Sequence, residues 1–388
     1  MKSKQQGLEN YVIGWRRRFH QNPELSFGEY KTAQAIAEEL KRLGMNVKRN
    51  VGGTGVVGLL TGDQRGRTVA LRADMDALPV SEENNTSYRS RNPGVMHACG
   101  HDGHMAMLLG AAKLLSSRRG QIKGTIKFLF QPGEETPPGG ALEMIRAGVL
   151  ENPKVDAAFA LHLDSSLPSG AVGLRKGPMM AASDNFEITV TGKGGHAARP
   201  HSCLDPVTTA AQMISGLQTI VSRRIDPAQP AVITVGKVEA GTKHNIIPKK
   251  AVLIGTARTI DRHSTKMMPA WIKQMVSGIA RANGLKAEVK YDKGYPVLFN
   301  DPAMVDFCEK AINETFGQSA VVRLEEPMMG GEDMAYFLQK VPGAFLRLGS
   351  RKDRTTSYPW HHPRFEIDET VLPMGSGLLS EIATKYLI

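Results

Sequence analysis

Two apolar segments in the middle of the chain, AVITVGKVEAG (231–241) and AVLIGTARTI (251–260), decide the fold that the sequence predicts. Both have the β-branched and apolar composition of strands, and they follow one another without a helical pattern between them. A strand and a helix precede them and a helix and a strand follow them, at 185–194, 206–224, 267–284 and 286–294. The order β-α-β-β-α-β is typical of a ferredoxin-like unit. We expect this unit to cover residues 183–294.

The rest of the chain shows a different pattern, in which helices and strands alternate. Apolar residues recur at helical spacing in some segments and form short strand-like runs in others: helical at 8–20, 32–44, 104–117 and 141–149, and strand-like at 55–62, 68–76, 125–132 and 155–163. Such alternation predicts an α/β layer sandwich with a largely parallel sheet. Because the pattern resumes after residue 294, we expect a two-domain α/β protein. Its larger domain would be discontinuous, 1–182 plus 295–388, with 183–294 inserted.

Composition is that of an ordinary globular protein, with 41% hydrophobic and 22% charged residues in a chain of 388. No apolar run approaches the roughly 20 residues that cross a bilayer, and the N-terminal segment becomes charged too early for a secretory signal. The cysteines Cys99, Cys203 and Cys308 are an odd, sparse set and a poor disulfide framework. We therefore expect a cytoplasmic protein without membrane contact.

The net charge of +11 could attract nucleic acid or anionic small substrates. The basic residues are dispersed, and no nucleic-acid recognition motif accompanies them. This pattern favours scattered surface charge, and we expect no nucleic-acid partner.

The segment MHACGHDGH (96–104) concentrates residues that bind metals. Cys99 and His101 lie two positions apart, a spacing that points both side chains to the same side of an extended or turning segment. Thiolate and imidazole are good ligands for zinc and similar divalent ions. Taken alone, the pair is equally compatible with a buried cysteine and with histidines that cap the next helix.

Further groups of the same chemical type follow other predicted strands. Glu134 and Glu135 come directly after the strand at 125–132, where open α/β sheets place their ligands. One could bind a metal while the other acts as a base, although both would also be stabilised at the start of a helix. His162 ends the next strand. It could be a further metal ligand, or equally a half-buried residue that binds no metal.

The C-terminal segment WHHPRF adds His361 and His362, one of which could complete the set. Cysteine, histidine and glutamate at these positions then amount to more donors than one metal ion needs. Two ions that share a ligand would use them all, and such a pair can activate water and stabilise an oxyanion. The chemistry indicated is hydrolysis of an amide, a peptide or an ester.

Six separated motifs resemble the M20 family of metallopeptidases. They are HACGHDGHMAMLLGAAKLL, FLFQPGEE, ALHL, GKGGHAARPH, NIIP and HHPRFEID, in that order. The branch they resemble most contains aminoacylases, hippurate hydrolases and carboxypeptidases. The resemblance implies a large α/β catalytic domain with a dinuclear metal site and an inserted ferredoxin-like domain that serves as lid and dimerisation domain.

The resemblance also implies a role for each metal-site residue. Cys99 would bridge two divalent metal ions, with the remaining ligands at His101, Glu135, His162 and His361. Glu134 would be the general base that activates the water between the metals and then protonates the leaving amine. A bridging thiolate favours zinc, with manganese, cobalt or nickel as alternatives.

In the inserted domain, the resemblance assigns His196 to stabilisation of the oxyanion in the active site of a neighbouring subunit. Asn245 and Arg258 would bind the substrate, and Arg258 would bind the carboxylate of the substrate. An ordinary turn residue at Asn245 and a solvated strand residue at Arg258 are the alternatives. Asp74 and Asp76 would orient ligand histidines or cap a turn.

The activity implied is cleavage of N-acyl amino acids, or of short peptides with a free carboxylate, by a homodimer. A dinuclear aminopeptidase or dipeptidase is the alternative, and it would need an acidic anchor for the substrate amine. A metal-stabilised nucleic-acid-binding protein is a further alternative. Glu134 disfavours it, because a purely structural metal site does not need a base beside its ligands.

Overall fold

The computed structural model describes the backbone of residues 2–388 and the side chains of residues 6–388. Met1, the first residue of the predicted larger domain, lies outside the described residues. The chain forms two compact units. The first comprises the chain up to Met179, Phe299–Glu326 and Asp333–Ile388, and the second comprises Met180–Leu298 and Pro327–Glu332.

The helices and strands follow the order that the sequence patterns indicate. The helices are α1 Lys2–Gln21, α2 Tyr30–Arg42, α3 His101–Ser116, α4 Gly140–Arg146, α5 Pro206–Arg224, α6 Arg262–Ala282, α7 Pro302–Phe316, α8 Met334–Leu338 and α9 Leu372–Leu387. The strands are β1 Asn46–Arg49, β2 Val56–Thr61, β3 Gln64–Asp74, β4 Lys123–Gln131, β5 Ala157–Pro168, β6 Val172–Leu174, β7 Gly177–Met180, β8 Ala182–Thr191, β9 Gly195–His196, β10 Ala231–Ala240, β11 Ile246–Ile247, β12 Lys250–Thr259, β13 Lys286–Tyr295, β14 Leu298–Asn300, β15 Val321–Arg323 and β16 Gly343–Arg351.

The first unit is built on one large mixed sheet with the strand order β1-β2-β4-β3-β5-β16-β6-β15. Its central strands β4, β3, β5 and β16 run parallel to one another. The pair β6–β15 at one edge is also parallel, whereas β1–β2, β2–β4 and β6–β16 are antiparallel. The predicted largely parallel sheet is therefore found at the centre, and the sheet as a whole is mixed. The central strands are almost continuously buried, as expected where elements cover both faces of a parallel sheet.

The second unit contains a four-stranded antiparallel sheet with the order β10-β12-β8-β13. With α5 after β8 and α6 after β12, this is the ferredoxin-like arrangement that the two successive strands predict. Its own core includes Phe186, Met213, Leu253 and Ile272, which are almost fully buried. Residues 327–332 join this unit through Ala181, whose N–H donates to the carbonyls of Met328 and Gly330.

Aspartate caps fix the start of several helices. Asp205, Asp261 and Asp301 lie one residue before α5, α6 and α7, and each carboxylate accepts a backbone N–H of the first turn. Such caps satisfy donors that have no partner inside the helix. Across the described residues, no helix combines the length and the apolar character needed to cross a bilayer.

Candidate active site

The candidate site lies at the ends of the central strands β3 and β4 of the first unit and beside the middle of β5. Asp74 at the end of β3 is paired in register with Gln131 at the end of β4, and Arg72 with Ala160 in β5. His162, two residues beyond Ala160, is therefore level with Asp74, but β5 continues to Pro168, so the expectation that His162 ends its strand is wrong. Because the carboxyl ends of parallel strands meet at one edge of a sheet, residues from distant parts of the chain come together here.

Cys99 and His101 approach this edge from the start of α3. Gly100 between them precedes the helix with φ 86°, a left-handed conformation that favours glycine. His101 is the first residue of α3, and both candidate ligands are almost completely buried, with 7% exposure for Cys99 and 1% for His101. The glycine lets the chain turn sharply enough to present both groups to one site.

The structure brings the predicted ligands into two sets of donors. The thiol of Cys99 and ring nitrogens of His101 and His162 all lie within 4.8 Å of one another. The same thiol forms a second set with Glu135 and His361. The Cys99 Sγ–His162 Nε2 distance is 3.6 Å, and the His361 Nε2–Glu135 Oε1 distance is 3.3 Å. Cys99 is thus the one residue common to both sets.

Glu134 lies beside these two sets, and its carboxylate also forms a group with His101 and Glu135 whose ligand atoms lie within 4.8 Å of one another. Its Oε2 is 4.0 Å from His101 Nε2, and Glu135 Oε1 is 3.9 Å from the same nitrogen. The Glu134 residue is 6% exposed. A buried carboxylate at this distance can exchange a proton with a molecule bound among the donors.

Backbone carbonyls determine which nitrogen of each histidine carries the proton. His101 Nδ1 lies 2.8 Å from the carbonyl oxygen of Asp76, and His162 Nδ1 lies 2.7 Å from that of Leu163. Since a carbonyl only accepts hydrogen bonds, both Nδ1 atoms are donors. The Nε2 lone pairs of both rings are therefore directed to the donor sets, as metal coordination requires.

The donor atoms fit a divalent cation. His101 Nε2 and Glu135 Oε1 are buried, and neither has a hydrogen-bond partner among the described residues. Burial and the carboxylates of Glu135 and Glu134 also hold the pKa of the Cys99 thiol well above its ordinary value. A bound cation would satisfy the unpartnered atoms and reverse the effect on the thiol. The chemistry of the set, thiolate with imidazole and carboxylate, suits zinc-like ions.

Asp76 connects the histidine and glutamate segments of the site. Its carboxylate accepts the backbone N–H of Glu134 at 3.0 Å and that of Glu135 at 2.9 Å. Its own carbonyl holds His101. Asp76 therefore orients the candidate ligand His101, as one interpretation of the sequence proposed, mainly through its backbone carbonyl, while its Oδ1 lies 3.4 Å from the same nitrogen. Its side chain positions the two glutamates.

His104 and Trp360 contribute in ways that sequence reasoning missed. His104 donates from Nδ1 to Asp74 at 2.6 Å, and its Nε2 accepts the N–H of Leu163 at 2.9 Å. The indole of Trp360 donates to the Leu163 carbonyl at 2.9 Å, and its ring lies 4.5 Å from that of His162. A signal for His104 existed in its spacing from His101, since residues three apart share a helix face.

Asp74 belongs to a buried chain of charges behind the site. Arg72 donates to Asp74 and to Asp333, each at 2.7 Å. Asp333 also accepts the side-chain amide of Gln131 and the N–H of Ala141. Asp333, to which the sequence assigned no role, thus anchors both ends of the loop that carries the glutamates.

The two adjacent histidines near the C-terminus lie in different surroundings. The ring of His361 approaches Glu135, and the backbone N–H of His361 donates to the carbonyl of Ala98 at 2.8 Å. Its φ of 66° is rare for a residue other than glycine, and such strain is concentrated at functional sites. His362 instead stacks on Tyr358, and its Nδ1 accepts the N–H of Arg364.

The remaining predicted residues lie in the second unit. His196 in β9 is paired with Ile246 in β11, and the N–H of Ala197 donates to the carbonyl of Asn245. The Nδ1 of His196 accepts the N–H of Ala198 at 3.1 Å, so the ring proton is on Nε2. His196 is exposed and can donate a hydrogen bond from that atom.

Arg258 lies on a different strand, β12, where it is half-buried. Its Nε donates to Thr256 Oγ1 at 3.1 Å, and burial lowers the pKa of its guanidinium. Asn245 is also half-buried, and its Oδ1 has no hydrogen-bond partner among the described residues. The Arg258 guanidinium could therefore donate hydrogen bonds to a ligand, and the Asn245 oxygen could accept one.

A buried ionic network supports the N-terminal turn of α3 from the side of α1. Asp102, next to His101, accepts from Arg16 at 2.9 Å and from His20 at 2.7 Å. His20 also contacts Glu82 at 3.1 Å. Burial and Arg16 oppose protonation of His20, but its hydrogen bonds to the two carboxylates outweigh them and raise its pKa to about 9.

This network predicts a loss of stability between about pH 6.5 and pH 9. A histidine with a raised pKa contributes its full stabilisation below its ordinary value of 6.5, and the contribution disappears as the pH rises through 9. We expect roughly 3 kcal/mol at most from this source. Denaturant unfolding of metal-free protein across this range should show a steeper decline for the wild type than for His20→Gln. Parallel curves would contradict the assignment.

Two sets of metal donors that share a thiol, beside a buried carboxylate at the carboxyl edge of an α/β sheet, define a dinuclear metallohydrolase. The family model described as Peptidase family M20/M25/M40 matches residues 70–385, and the chain belongs to this family.

Relatives of known name agree with this class. Thermostable carboxypeptidase 2 of Saccharolobus solfataricus is 44% identical over 383 residues, which cover 98% of this chain and 96% of the relative. The N-acyl-L-amino acid amidohydrolase of Geobacillus stearothermophilus is 49% identical over 289 residues, or 74% and 78% of the two chains. The crystal structure of a dinuclear metal binding peptidase of the M20 family from Bacillus subtilis superposes with a TM-score of 0.87 at 36% identity, covering 98% and 99%.

These matches confirm the family, the α/β fold and the enzyme class that the motifs predict. The chain is a metal-dependent hydrolase of amide or peptide bonds. Together, the two donor sets and the dinuclear relative support a site for two metal ions.

Proposed function

We propose that this chain cleaves the amide bond of N-acyl amino acids, or of short peptides with a free carboxylate. The observation that carries the proposal is the pair of donor sets joined at Cys99 with Glu134 beside them. A site of this kind serves hydrolysis, and the names of the amidohydrolase and carboxypeptidase relatives favour such substrates.

In this proposal, five residues hold the two metal ions. Cys99 belongs to both donor sets and would be the ligand that the two ions share, with His101 and His162 in one set and Glu135 and His361 in the other. Two bound divalent ions would lower the pKa of the attacking water and polarise the scissile carbonyl. The bridging thiolate favours zinc, with manganese, cobalt or nickel as alternatives.

The protein residues move the protons. Glu134 takes a proton from the attacking water and delivers it to the departing nitrogen. Its fixed backbone, held by Asp76, supports this role because a base must be aimed at one atom. The proton on His196 Nε2 supports a role as hydrogen-bond donor to the oxyanion in the active site of a second copy. Asn245 and Arg258 bind the substrate, and Arg258 binds the carboxylate of the substrate.

The proposal extends to the organisation of the protein. The catalytic domain comprises 1–182 plus 295–388, and the insertion 183–294 serves as lid and dimerisation domain of a cytoplasmic homodimer. The position of β10 at the edge of its sheet supports dimerisation, since edge strands offer unpaired backbone groups. Exposed apolar side chains at Val238 and Ile246 of the same unit agree with it.

A substrate panel tests the proposal. N-acetyl and N-benzoyl amino acids and dipeptides should be hydrolysed with zinc, manganese or cobalt added. Amidation of the substrate carboxylate should lower kcat/KM roughly 10- to 100-fold, since it removes a charge-assisted hydrogen bond. An aminopeptidase would instead need a free substrate amine and would tolerate a blocked carboxylate. Cleavage of peptides with a free amine and a blocked carboxylate, without cleavage of N-acyl amino acids, would refute the proposal.

A further inference from the structure

The short loop that carries the catalytic glutamates is held by two buried carboxylates. Three consecutive backbone amides are involved: Glu134 and Glu135 donate to Asp76, and the preceding residue, Gly133, donates to Glu29 at 2.9 Å. Glu29 is fully buried at the start of α2. The loop is therefore attached to two segments that are distant from it in sequence.

Glu29 joins three parts of the chain around this loop. One carboxylate oxygen accepts the N–H of Gly133 and the N–H of Phe27, both at 2.9 Å. The other oxygen accepts the hydroxyl of Thr54. Because each contact comes from a different segment, the carboxylate cannot shift toward one without losing another.

The ring of Phe27 also lies against Gly133. A Cβ atom added to Gly133 would lie 2.5 Å from the Phe27 ring, so a side chain at this position would have to displace the ring. Gly133 has φ 62° and Phe27 has φ 61°. A bulky residue with positive φ is strained, and strain of this kind persists only where the surroundings enforce it. The Phe27 ring and the Glu29 carboxylate together restrict the position of the Gly133 backbone.

We propose that Glu29 is a positioning residue for the general base, acting through the N–H of Gly133. The inference rests on the proposed role of Glu134. Gly133 immediately precedes Glu134, so a change in its peptide orientation rotates the Glu134 backbone. Small misplacements of a reacting group lower the rate by large factors. A role of Glu29 in stability alone would leave the turnover of the folded enzyme unchanged.

Two conservative variants separate the contact from the charge. Glu29→Gln keeps an oxygen that can accept from Gly133 and Phe27, and its amide can donate to Thr54. Glu29→Asp keeps the charge but is one methylene shorter, so it cannot span the three contacts. We expect kcat of E29D to fall roughly 10- to 100-fold with KM nearly unchanged. E29Q should retain most of the wild-type kcat, and both variants should retain two metal ions.

Hydrogen exchange gives a readout that does not depend on catalysis. In E29D the amide of Gly133 should exchange roughly 10-fold faster, as expected for the loss of one buried hydrogen bond. It should remain protected in E29Q. This difference would persist even if Glu134 were not the base, so failure of the proposed function and failure of this inference are distinguishable.

Glu39 offers a matched control in the same helix. It is 6% exposed and bonds Tyr11 and Arg42, away from the catalytic loop. Glu39→Asp should lower the unfolding temperature without changing kcat. The proposal is overturned if E29D keeps the wild-type kcat and Gly133 protection, or if E29Q loses as much activity as E29D, because the charge and not the contact would then matter.

Discussion

Replacement of Glu134 by alanine will abolish turnover while both metal ions stay bound. Glu134 lies 4.0 Å from His101 Nε2, but the two donor sets that share Cys99 are complete without it. Removing a general base that also protonates the leaving group should lower kcat about 10³-fold or more. The fixed backbone of the loop should survive, since Asp76 binds the N–H of residue 134 and not its side chain.

The measurement is kcat together with the metal content of the purified variant. Glu143→Ala is a suitable control, because Glu143 is a partly exposed glutamate in α4 whose side chain pairs with Arg146. It should match the wild type in both quantities. If Glu134→Ala turned over at the wild-type rate with its metals bound, Glu134 would have no part in the mechanism. A variant that lost its metals would point to a ligand role instead.

Replacement of Cys99 by alanine should remove metal binding and activity together. The thiol is the only group shared by the two donor sets, so each ion would lose a ligand. Removing a residue that hydrogen-bonds to a metal ligand already lowers the metal affinity about 10- to 100-fold. Loss of a direct ligand shared by both ions should lower the affinity by more than about 100-fold. Metal content measured by elemental analysis should fall below that of the wild type for both ions.

Cys308 provides the matched control for this variant. It is also a free and fully buried cysteine, but it lies in α7 among core residues. Cys308→Ala should lose some stability through the cavity it leaves, with metal content unchanged. Retention of two tightly bound ions by Cys99→Ala would show that the thiol does not bridge, and the dinuclear arrangement would need another shared ligand.

Local patterns in the sequence were sufficient for the elements and for the chemical types at the site. Cys99 and His101 are neighbours in the chain, and Glu134 and Glu135 follow a strand whose apolar run is obvious. The two successive strands at 231–241 and 251–260 likewise indicated the ferredoxin-like unit. The elements were predicted correctly because hydrophobic periodicity depends on residues that are close in sequence. The spacing of Cys99 and His101 is equally local, and their role as ligands stays a prediction.

The supporting contacts could not be predicted in the same way. Glu29 and Gly133 are separated by about a hundred positions, and no spacing rule links a carboxylate to a particular backbone amide at that distance. The use of the Asp76 carbonyl for His101 was equally hidden, because every residue has a carbonyl. The parallel centre of the sheet was predicted, but the antiparallel pairs β1–β2, β2–β4 and β6–β16 were not, since sequence patterns do not show which strands pair.

By itself, the sequence determined the fold class, the family and the inventory of candidate metal ligands, because these follow from composition and local order along the chain. Tertiary structure alone decided which atoms face one another. It placed Cys99 in both donor sets, His361 and not His362 beside Glu135, and the buried carboxylates of Asp76 and Glu29 beneath the catalytic loop. The physical reason is that hydrogen bonding and coordination depend on distances of a few ångströms between segments that only folding brings together.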